Sequence, residues 1–323
     1  MAGTLTHFYV MKKYLEYKKN KTVHFGEQTP ETAHYFLGAT GPDIFYVGAE
    51  YKHISNYHHY KNVGLFIKKL YEVNDRYVRN LAKGFLSHMA ADLVIHPFVN
   101  SLVGKYQEHL ITSIEIPGAT IWAGPARLSS SFYAHNMVEF AQDYYVQTNV
   151  FKQQKRPHNS LFTYGIFPDR DKDSLKLANT LHRVIKELYN ENDLTLKHIV
   201  NILKVFEDDD NLLDSLPWVG DGEKAQNIED HVDYVLDDEY KDYQIFLEHK
   251  DKITQTFKDE ESSFEKLVDQ AVELTDKLIK DADSGKWDDI LQPWNLDTGL
   301  YTQVQVKNNA IKFNLNNYES ILA

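Results

Sequence analysis

Apolar and polar positions along this chain alternate with the spacing of helices. Apolar side chains recur every three or four residues and predict helices over residues 5–19, 30–37, 63–72, 74–96, 174–190, 195–206, 224–257 and 261–283. Alternation with a period of two is weak and confined to residues 301–315, where it predicts a short terminal β-hairpin. No internal repeat or low-complexity segment is present. We therefore expect an all-α fold, a multi-helix bundle.

One predicted helix carries polar side chains that its apolar flanks do not explain. His88, Asp92 and His96 follow one another at four-residue spacing between Gly84 and Pro97. Four residues turn a helix through about 400°, so these three side chains share one face. Two imidazoles and a carboxylate on one face suit zinc, and a carboxylate in so apolar a helix needs a partner. Pro97 is expected to end the helix directly after His96.

Further candidate ligands lie at scattered positions in the first half of the chain. They are His7 in the first turn of the first helix, Asp43 after the Gly41-Pro42 turn, His58 and His59 in a predicted loop, and the pair His135 and Glu139, with Asp143 four residues further on. Each also has an ordinary interpretation: an exposed histidine, a carboxylate that caps a turn, or a polar face at i, i+4 spacing. When these candidates are taken together with the His88–Asp92–His96 face, a shared metal site explains them better than the ordinary interpretations do.

Composition narrows the possible functions. The net charge of the 323 residues is −12, which argues against a strong nucleic-acid surface, and the absence of cysteine removes disulfides and thiolate chemistry. No secretory signal and no stretch approaching the ~18 apolar residues of a membrane span is visible. We therefore expect a cytoplasmic protein, or a secreted one if a signal peptide was removed. The acidic run at residues 207–210 fits a solvated loop.

The order and spacing of the candidate ligands over residues 5–165 resemble those of the zinc-dependent phospholipase C family, whose all-helical fold is similar to that of the fungal single-strand-specific zinc nucleases. The resemblance implies three zinc sites: one formed by Asp43, His58 or His59, His88 and Asp92; a second formed by His96, His135 and Glu139; and a third formed by His7 with Asp92 as a bridge. Spacing cannot choose between His58 and His59, and we favour His58.

The third site departs from the family pattern. Secreted members complete it with an N-terminal tryptophan, whereas this sequence starts at Met1 and has no tryptophan before Trp122. We therefore expect two zinc ions and leave the third open.

The resemblance implies hydrolysis of a phosphodiester by a zinc-activated water, with Asp43 as ligand and catalytic base. The substrate would be a phospholipid or a soluble headgroup or nucleotide. Alternatives are a single-strand nuclease activity on the same fold, a non-catalytic zinc-stabilised interaction module, or a helical protein whose histidines never meet. We assign residues 1–165 to the metal-binding domain and residues 166–323 to a helical C-terminal extension that packs on it or forms a lid.

Overall fold

The computed structural model describes the chain in several stretches. These are residues 3–19, 23, 29–47, 51–113, 135, 138–151, 172–203, 261–296 and 300–301. The predicted helix at 224–257 lies outside these residues, as does all but the first residue of the predicted hairpin at 301–315. Within the described ranges, no helix combines the length and the apolar character needed to cross a membrane.

Helices dominate the described residues, which confirms the expected all-α fold. The helices are α1 (Thr4–Lys19), α2 (Pro30–Thr40), α3 (Lys52–Tyr60), α4 (Val63–Tyr71), α5 (Arg76–Ser113), α6 (138–145), α7 (Lys172–Tyr189), α8 (196–203) and α9 (Glu261–Asp283). A 3₁₀ helix, Gly41–Val47, follows α2, and a π-helical segment, Val146–Val150, extends α6. Two strands, β1 (Trp294–Asn295) and β2 (Leu300–Tyr301), form an antiparallel pair.

Helix α5 is longer than the sequence predicts. It continues through Pro97 to Ser113, so the expectation that Pro97 ends the helix at His96 is wrong. A proline inside a helix removes one backbone hydrogen bond and costs about 3 kcal/mol. Val99 and Leu102 are buried beyond it, and their burial offsets this cost by roughly 1.5–3 kcal/mol each. His96 therefore lies in the middle of α5 and not at its end.

The segment that contains His58 and His59 is a helix and not the predicted loop. The buried face of α3 consists of Ile54, Ser55, His58 and His59, which follow helical spacing. Only Ile54 among these four is apolar, so a pattern of apolar residues does not reveal this face.

Helices α2 and α5 cross at a pair of glycines. A β-carbon on Gly38 would lie 2.0 Å from the carbonyl oxygen of Leu81, and one on Gly84 would lie 2.2 Å from that of Tyr35. No real β-carbon tolerates such distances, so both positions require glycine for the helices to approach this closely. The crossing brings the C-terminal end of α2 against the His88 turn of α5.

The C-terminal segment packs against the first half of the chain. Helix α9 lies along α5 and α1, where Glu265 accepts hydrogen bonds from the hydroxyls of Tyr9 (2.9 Å) and Tyr145 (3.1 Å). Lys13 pairs with Asp269 at 2.6 Å on the same face. The assignment of residues 1–165 and 166–323 to a domain and an extension stays a prediction, but residues 261–296 contact the helices that carry the candidate ligands.

Candidate metal centre

The candidate ligands converge in the interior of the bundle from five helical elements. Those with at most 3% of their surface exposed are His7 on α1, Asp43 on the 3₁₀ helix, His59 on α3, His88, Asp92 and His96 on α5, and Glu139 on α6. His135, which precedes α6, is partly exposed. These side chains form three groups, and within each group one ligand atom per residue lies within 4.8 Å of the others.

The first group consists of Asp43, His59 and His88. Oδ1 of Asp43 lies 3.3 Å from Nε2 of His59, and Oδ2 lies 3.9 Å from Nδ1 of His88. Asp92 adjoins the group, with its Oδ2 3.7 Å from Nε2 of His59.

The two histidines of this group are held in one tautomer by main-chain carbonyls. Nδ1 of His59 donates to the carbonyl of Ser55, and Nδ1 of His88 donates to that of Ala39, both at 2.8 Å. A carbonyl can only accept, so each Nδ1 carries the proton and each neutral ring leaves Nε2 bare. The two Nε2 atoms face each other at 3.4 Å. Two lone pairs this close repel unless a proton or a cation lies between them.

The second group contains His96, His135 and Glu139. Oε1 of Glu139 lies 2.7 Å from Nε2 of His135 and 3.3 Å from Nε2 of His96. The Nδ1 atom of His96 donates to the carbonyl of Leu296 at 2.6 Å, which again directs Nε2 into the group.

The third group joins His7 to His88 and Asp92. Nε2 of His7 lies 3.4 Å from Oδ1 of Asp92, and Nε2 of His88 lies 2.9 Å from Oδ2. The rings of His7 and His88 stack at 3.9 Å. Oδ1 of Asp92 is also 3.6 Å from Nε2 of His96, so this carboxylate lies at the junction of all three groups.

The donor set and its geometry fit zinc. Both ring nitrogens of His7 are buried and have no hydrogen-bond partner. Ligands at zinc–nitrogen and zinc–oxygen distances lie about 3.3–3.6 Å apart at the corners of a tetrahedron. The separations of 3.3 Å (Asp43–His59) and 3.4 Å (His7–Asp92) agree with that edge length and exceed those of ordinary hydrogen bonds.

The electrostatics of the centre keep its carboxylates ionised. Burial alone would raise the pKa of Asp92, but the imidazoles of His88, His96 and His7 outweigh it and hold the pKa far below its usual range. The pKa of Asp43 is also lowered, because His88 and His59 outweigh the effect of burial.

The pKa values of two histidines in the centre, His7 and His96, shift in opposite directions. Burial, with a contribution from the neighbouring His88, lowers the pKa of His7 to about 3, so this ring is neutral at pH 7. Burial would also lower the pKa of His96, but Asp92 and Glu139 outweigh it and raise the pKa above its ordinary value.

The structure brings His59, and not His58, into one of the three groups, which favours His59 over the sequence-based preference for His58. His58 points away from Asp43, and its ring packs against Phe66 (4.3 Å between ring centroids), Phe45 (5.6 Å) and Phe85 (5.9 Å). Burial lowers the pKa of His58 to about 3. Consecutive helical residues point about 100° apart, so only one of the two rings can face Asp43.

The partners behind the ligands are mostly main-chain groups. The carbonyls of Ala39, Ser55 and Leu296 carry no side-chain signal, so the sequence could not reveal them. Asp143 is different, because its position four residues after Glu139 marks it in the sequence, yet it lies outside the three groups.

Asp143 caps helix α1. It accepts hydrogen bonds from the backbone N–H groups of Leu5 (3.1 Å) and Thr6 (3.0 Å) and from Oγ1 of Thr6 (3.0 Å). A β-carbon on Gly3 would lie 2.1 Å from Oδ1 of Asp143. The side chain therefore fixes the first turn of α1, which carries His7, against the helix that carries Glu139.

Comparison with known proteins agrees with this arrangement. The family model described as zinc dependent phospholipase C matches residues 6–191, more than half of the chain. No curated protein and no solved structure matches the chain. The matched range contains every candidate ligand and supports zinc as the metal and a phospholipase-like, metal-dependent activity. The chain belongs to the zinc-dependent phospholipase C family.

Proposed function

We propose that this protein hydrolyses a phosphodiester of a phospholipid with the help of zinc held by the three side-chain groups. The observation that carries the proposal is the buried convergence of Asp43, His59 and His88, with one ligand atom of each residue within 4.8 Å of the others. The family supplies the substrate class, a lipid, and the kind of reaction.

The proposed ligand sets follow the three groups. Asp43, His59 and His88 would hold one zinc ion, and His96, His135 and Glu139 a second. His7 and Asp92 would hold a third, with His88 close to both the first and the third positions. Bound zinc supplies Lewis-acid polarisation of a phosphoryl oxygen and lowers the pKa of a water.

Asp43 is the proposed proton acceptor. Its carboxylate is almost fully buried and lies 3.3 Å from Nε2 of His59, and His88 and His59 lower its pKa against the opposing effect of burial. It can therefore orient a water and accept its proton during a direct in-line attack on phosphorus. It lies on the 3₁₀ helix two residues after Gly41, which packs so closely on the Phe85 ring that a β-carbon there would lie 2.1 Å from it.

The imidazoles of His59 and His88 would hold the metal through Nε2, and zinc would keep both rings in the neutral form. Their Nδ1 protons are committed to the carbonyls of Ser55 and Ala39, so neither ring can turn without breaking a buried hydrogen bond. Such second contacts hold the ligands in place before the substrate arrives. Preorganisation of this kind favours catalysis, although a purely structural zinc site would share it.

Hydrolysis of a phospholipid in detergent micelles tests the proposal. Release of the phosphorylated headgroup is measured for the wild-type protein and for Asp43→Asn, with Asp269→Asn as the exposed matched control. We expect Asp43→Asn to lose about 100- to 10,000-fold in rate, the usual contribution of a general base, and the control to match the wild type. A zinc-loaded wild-type protein without headgroup release would overturn the proposal and favour a non-catalytic zinc-stabilised module.

A further inference from the structure

We propose that the segment 287–296, here called the strap, positions two metal ligands through the main chain of Leu296, so that zinc binding and docking of the strap are coupled. The strap lies about 100 residues beyond the end of the family match at residue 191. The inference rests on the proposed function to the extent that His59 and His96 bind zinc.

Both main-chain groups of Leu296 contact a candidate ligand residue. Its N–H donates to the carbonyl of His59 at 3.0 Å, and its carbonyl accepts from Nδ1 of His96 at 2.6 Å. Leu296 itself is fully buried. One residue thereby joins α3 to α5, and it joins the Asp43–His59–His88 group to the His96–His135–Glu139 group.

The contact to His96 determines what that ring can do. Because the Leu296 carbonyl can only accept, it fixes the proton on Nδ1 and leaves Nε2 as the metal-binding atom of the neutral ring. Nε2 then lies 3.3 Å from Glu139 and 3.6 Å from Asp92. Without the strap, His96 could rotate or bind through either nitrogen.

The strap also contacts the helices outside the metal centre. The carbonyl of Ile290 lies against α4, where a β-carbon on Gly64 would approach it to 1.9 Å. Trp287 packs edge-on against Tyr71 at 5.3 Å, and Ile290 is fully buried. The strap follows directly on α9, which packs along α5. Residues 287–296 therefore contribute to the wall of the metal centre.

Coupling makes two effects reciprocal. If docking of the strap raises zinc affinity, zinc must strengthen docking by the same factor. Loss of an outer partner of a metal-binding histidine typically lowers metal affinity about 10- to 100-fold. A corresponding slowing of hydrogen exchange is expected across the strap when zinc binds.

The test uses the full-length protein and the zinc ion alone. Leu296→Pro removes the N–H that donates to the main-chain carbonyl of His59. The preceding residue, Asn295, lies in a strand, and a residue before proline favours that extended conformation. Ile185→Ala on α7 is the control, because it deletes a fully buried aliphatic side chain from a helix that packs against α4. Zinc affinity is measured by competition with a chromophoric chelator, and hydrogen exchange of residues 287–296 is measured in the wild type with and without zinc.

We expect Leu296→Pro to bind zinc about 10- to 100-fold more weakly, and Ile185→Ala to lower Tm while its zinc affinity stays unchanged. We also expect zinc to slow exchange in the wild-type strap at least about 10-fold. A folded Leu296→Pro protein with wild-type zinc affinity would overturn the inference. If that variant does not fold, the exchange measurement decides, and unchanged exchange in the zinc-loaded wild type would overturn it. A wild type that binds no zinc would instead remove the proposed function as well.

Discussion

His58 and His59 are neighbours in the chain, yet their rings occupy opposite environments on α3. Nε2 of His59 lies 3.3 Å from Asp43, whereas the ring of His58 packs 4.3 Å from that of Phe66. Both are almost fully buried, so burial does not distinguish them. The two histidines differ in the contact with the Ser55 carbonyl, which holds Nδ1 of His59 and directs its Nε2 to the carboxylates.

This pair provides a matched test of the ligand assignment. His59→Gln is expected to lose one of the bound zinc ions and most of the hydrolytic activity. His58→Gln is expected to keep the zinc content of the wild type and to lose about 1–3 kcal/mol of stability, because it changes the packing of a buried aromatic environment. Elemental analysis and urea unfolding of both variants provide the measurements. The reverse pattern would restore His58 as the ligand.

Zinc binding should release protons near neutral pH. The pKa of His96 in the metal-free protein is raised because Asp92 and Glu139 outweigh burial, so the ring is more readily protonated than an ordinary histidine. Zinc requires the neutral ring and must displace that proton. Zinc affinity should therefore fall as the pH is lowered through the raised pKa.

Calorimetry of zinc binding in two buffers with different ionisation enthalpies measures the number of protons released. We expect a positive number at pH 7 that decreases as the pH is raised, since His96 then loses its proton before zinc arrives. A release that stays at zero from pH 6 to pH 8 would contradict the assignment of His96 as a ligand.

Asp143 should make stability depend on pH. Burial raises its pKa to about 7, against the opposing hydrogen bonds from Leu5 and Thr6. A carboxyl group with a raised folded-state pKa stabilises the fold when it is protonated, and this contribution is lost as the pH rises from its ordinary value of 3.8 towards about 7. Asp143→Asn abolishes this titration and should flatten the dependence between pH 4 and pH 7.

The same variant should be less stable at every pH in that range. Leu5 and Thr6 donate to different oxygens of Asp143, and asparagine replaces one of these oxygens with an NH2 donor, so one buried N–H loses its acceptor at a cost of about 1–3 kcal/mol. Urea unfolding of the metal-free protein measures both effects. Asp269→Asn, at an exposed position on α9, is the control. It should change the free energy of unfolding by no more than about 0.5 kcal/mol at any pH in the range. An unchanged pH dependence in Asp143→Asn would show that the carboxyl is ionised throughout.

The glycine crossing of α2 and α5 should be sensitive to a single methyl group. Gly84→Ala places a β-carbon 2.2 Å from the carbonyl of Tyr35 and must push the helices apart, which costs about 1–3 kcal/mol or more. The Ala39 carbonyl would then move away from Nδ1 of His88, so zinc affinity should fall together with stability.

Gly285→Ala provides the contrast. Its β-carbon meets no atom within 4 Å, so only the φ of +76° opposes it, at about 1–2 kcal/mol. Urea unfolding and zinc titration of both variants are compared. Equal zinc affinity in Gly84→Ala and the wild type would show that the crossing does not position His88.

The regular helices could be predicted from the sequence because their apolar faces follow the helical period. The α9 boundaries, Glu261–Asp283, and those of α1 follow directly from that pattern. Pro97 and α3 could not be predicted in this way. The continuation of α5 through Pro97 depends on the burial of Val99 beyond the proline, and α3 buries a face that is mostly polar.

The candidate ligands were recognisable by residue type and spacing, and eight of the nine predicted residues lie in the three groups. The choice between His58 and His59 was not recognisable, since it depends on the angle at which α3 meets the 3₁₀ helix that carries Asp43. The carbonyls that fix the tautomers are also invisible in a sequence, because every residue has one. Leu296 illustrates this most clearly: its main chain contacts His96 from 200 residues away.

Zinc content of the purified protein, with hydrolysis of bis-p-nitrophenyl phosphate before and after chelation, tests the central claim most directly. The account predicts at least two zinc ions per chain, loss of hydrolysis on chelation, and recovery when zinc is added back. A protein that holds no zinc, and regains none when it is supplied, would contradict the metal centre built on His59, His88 and Asp92.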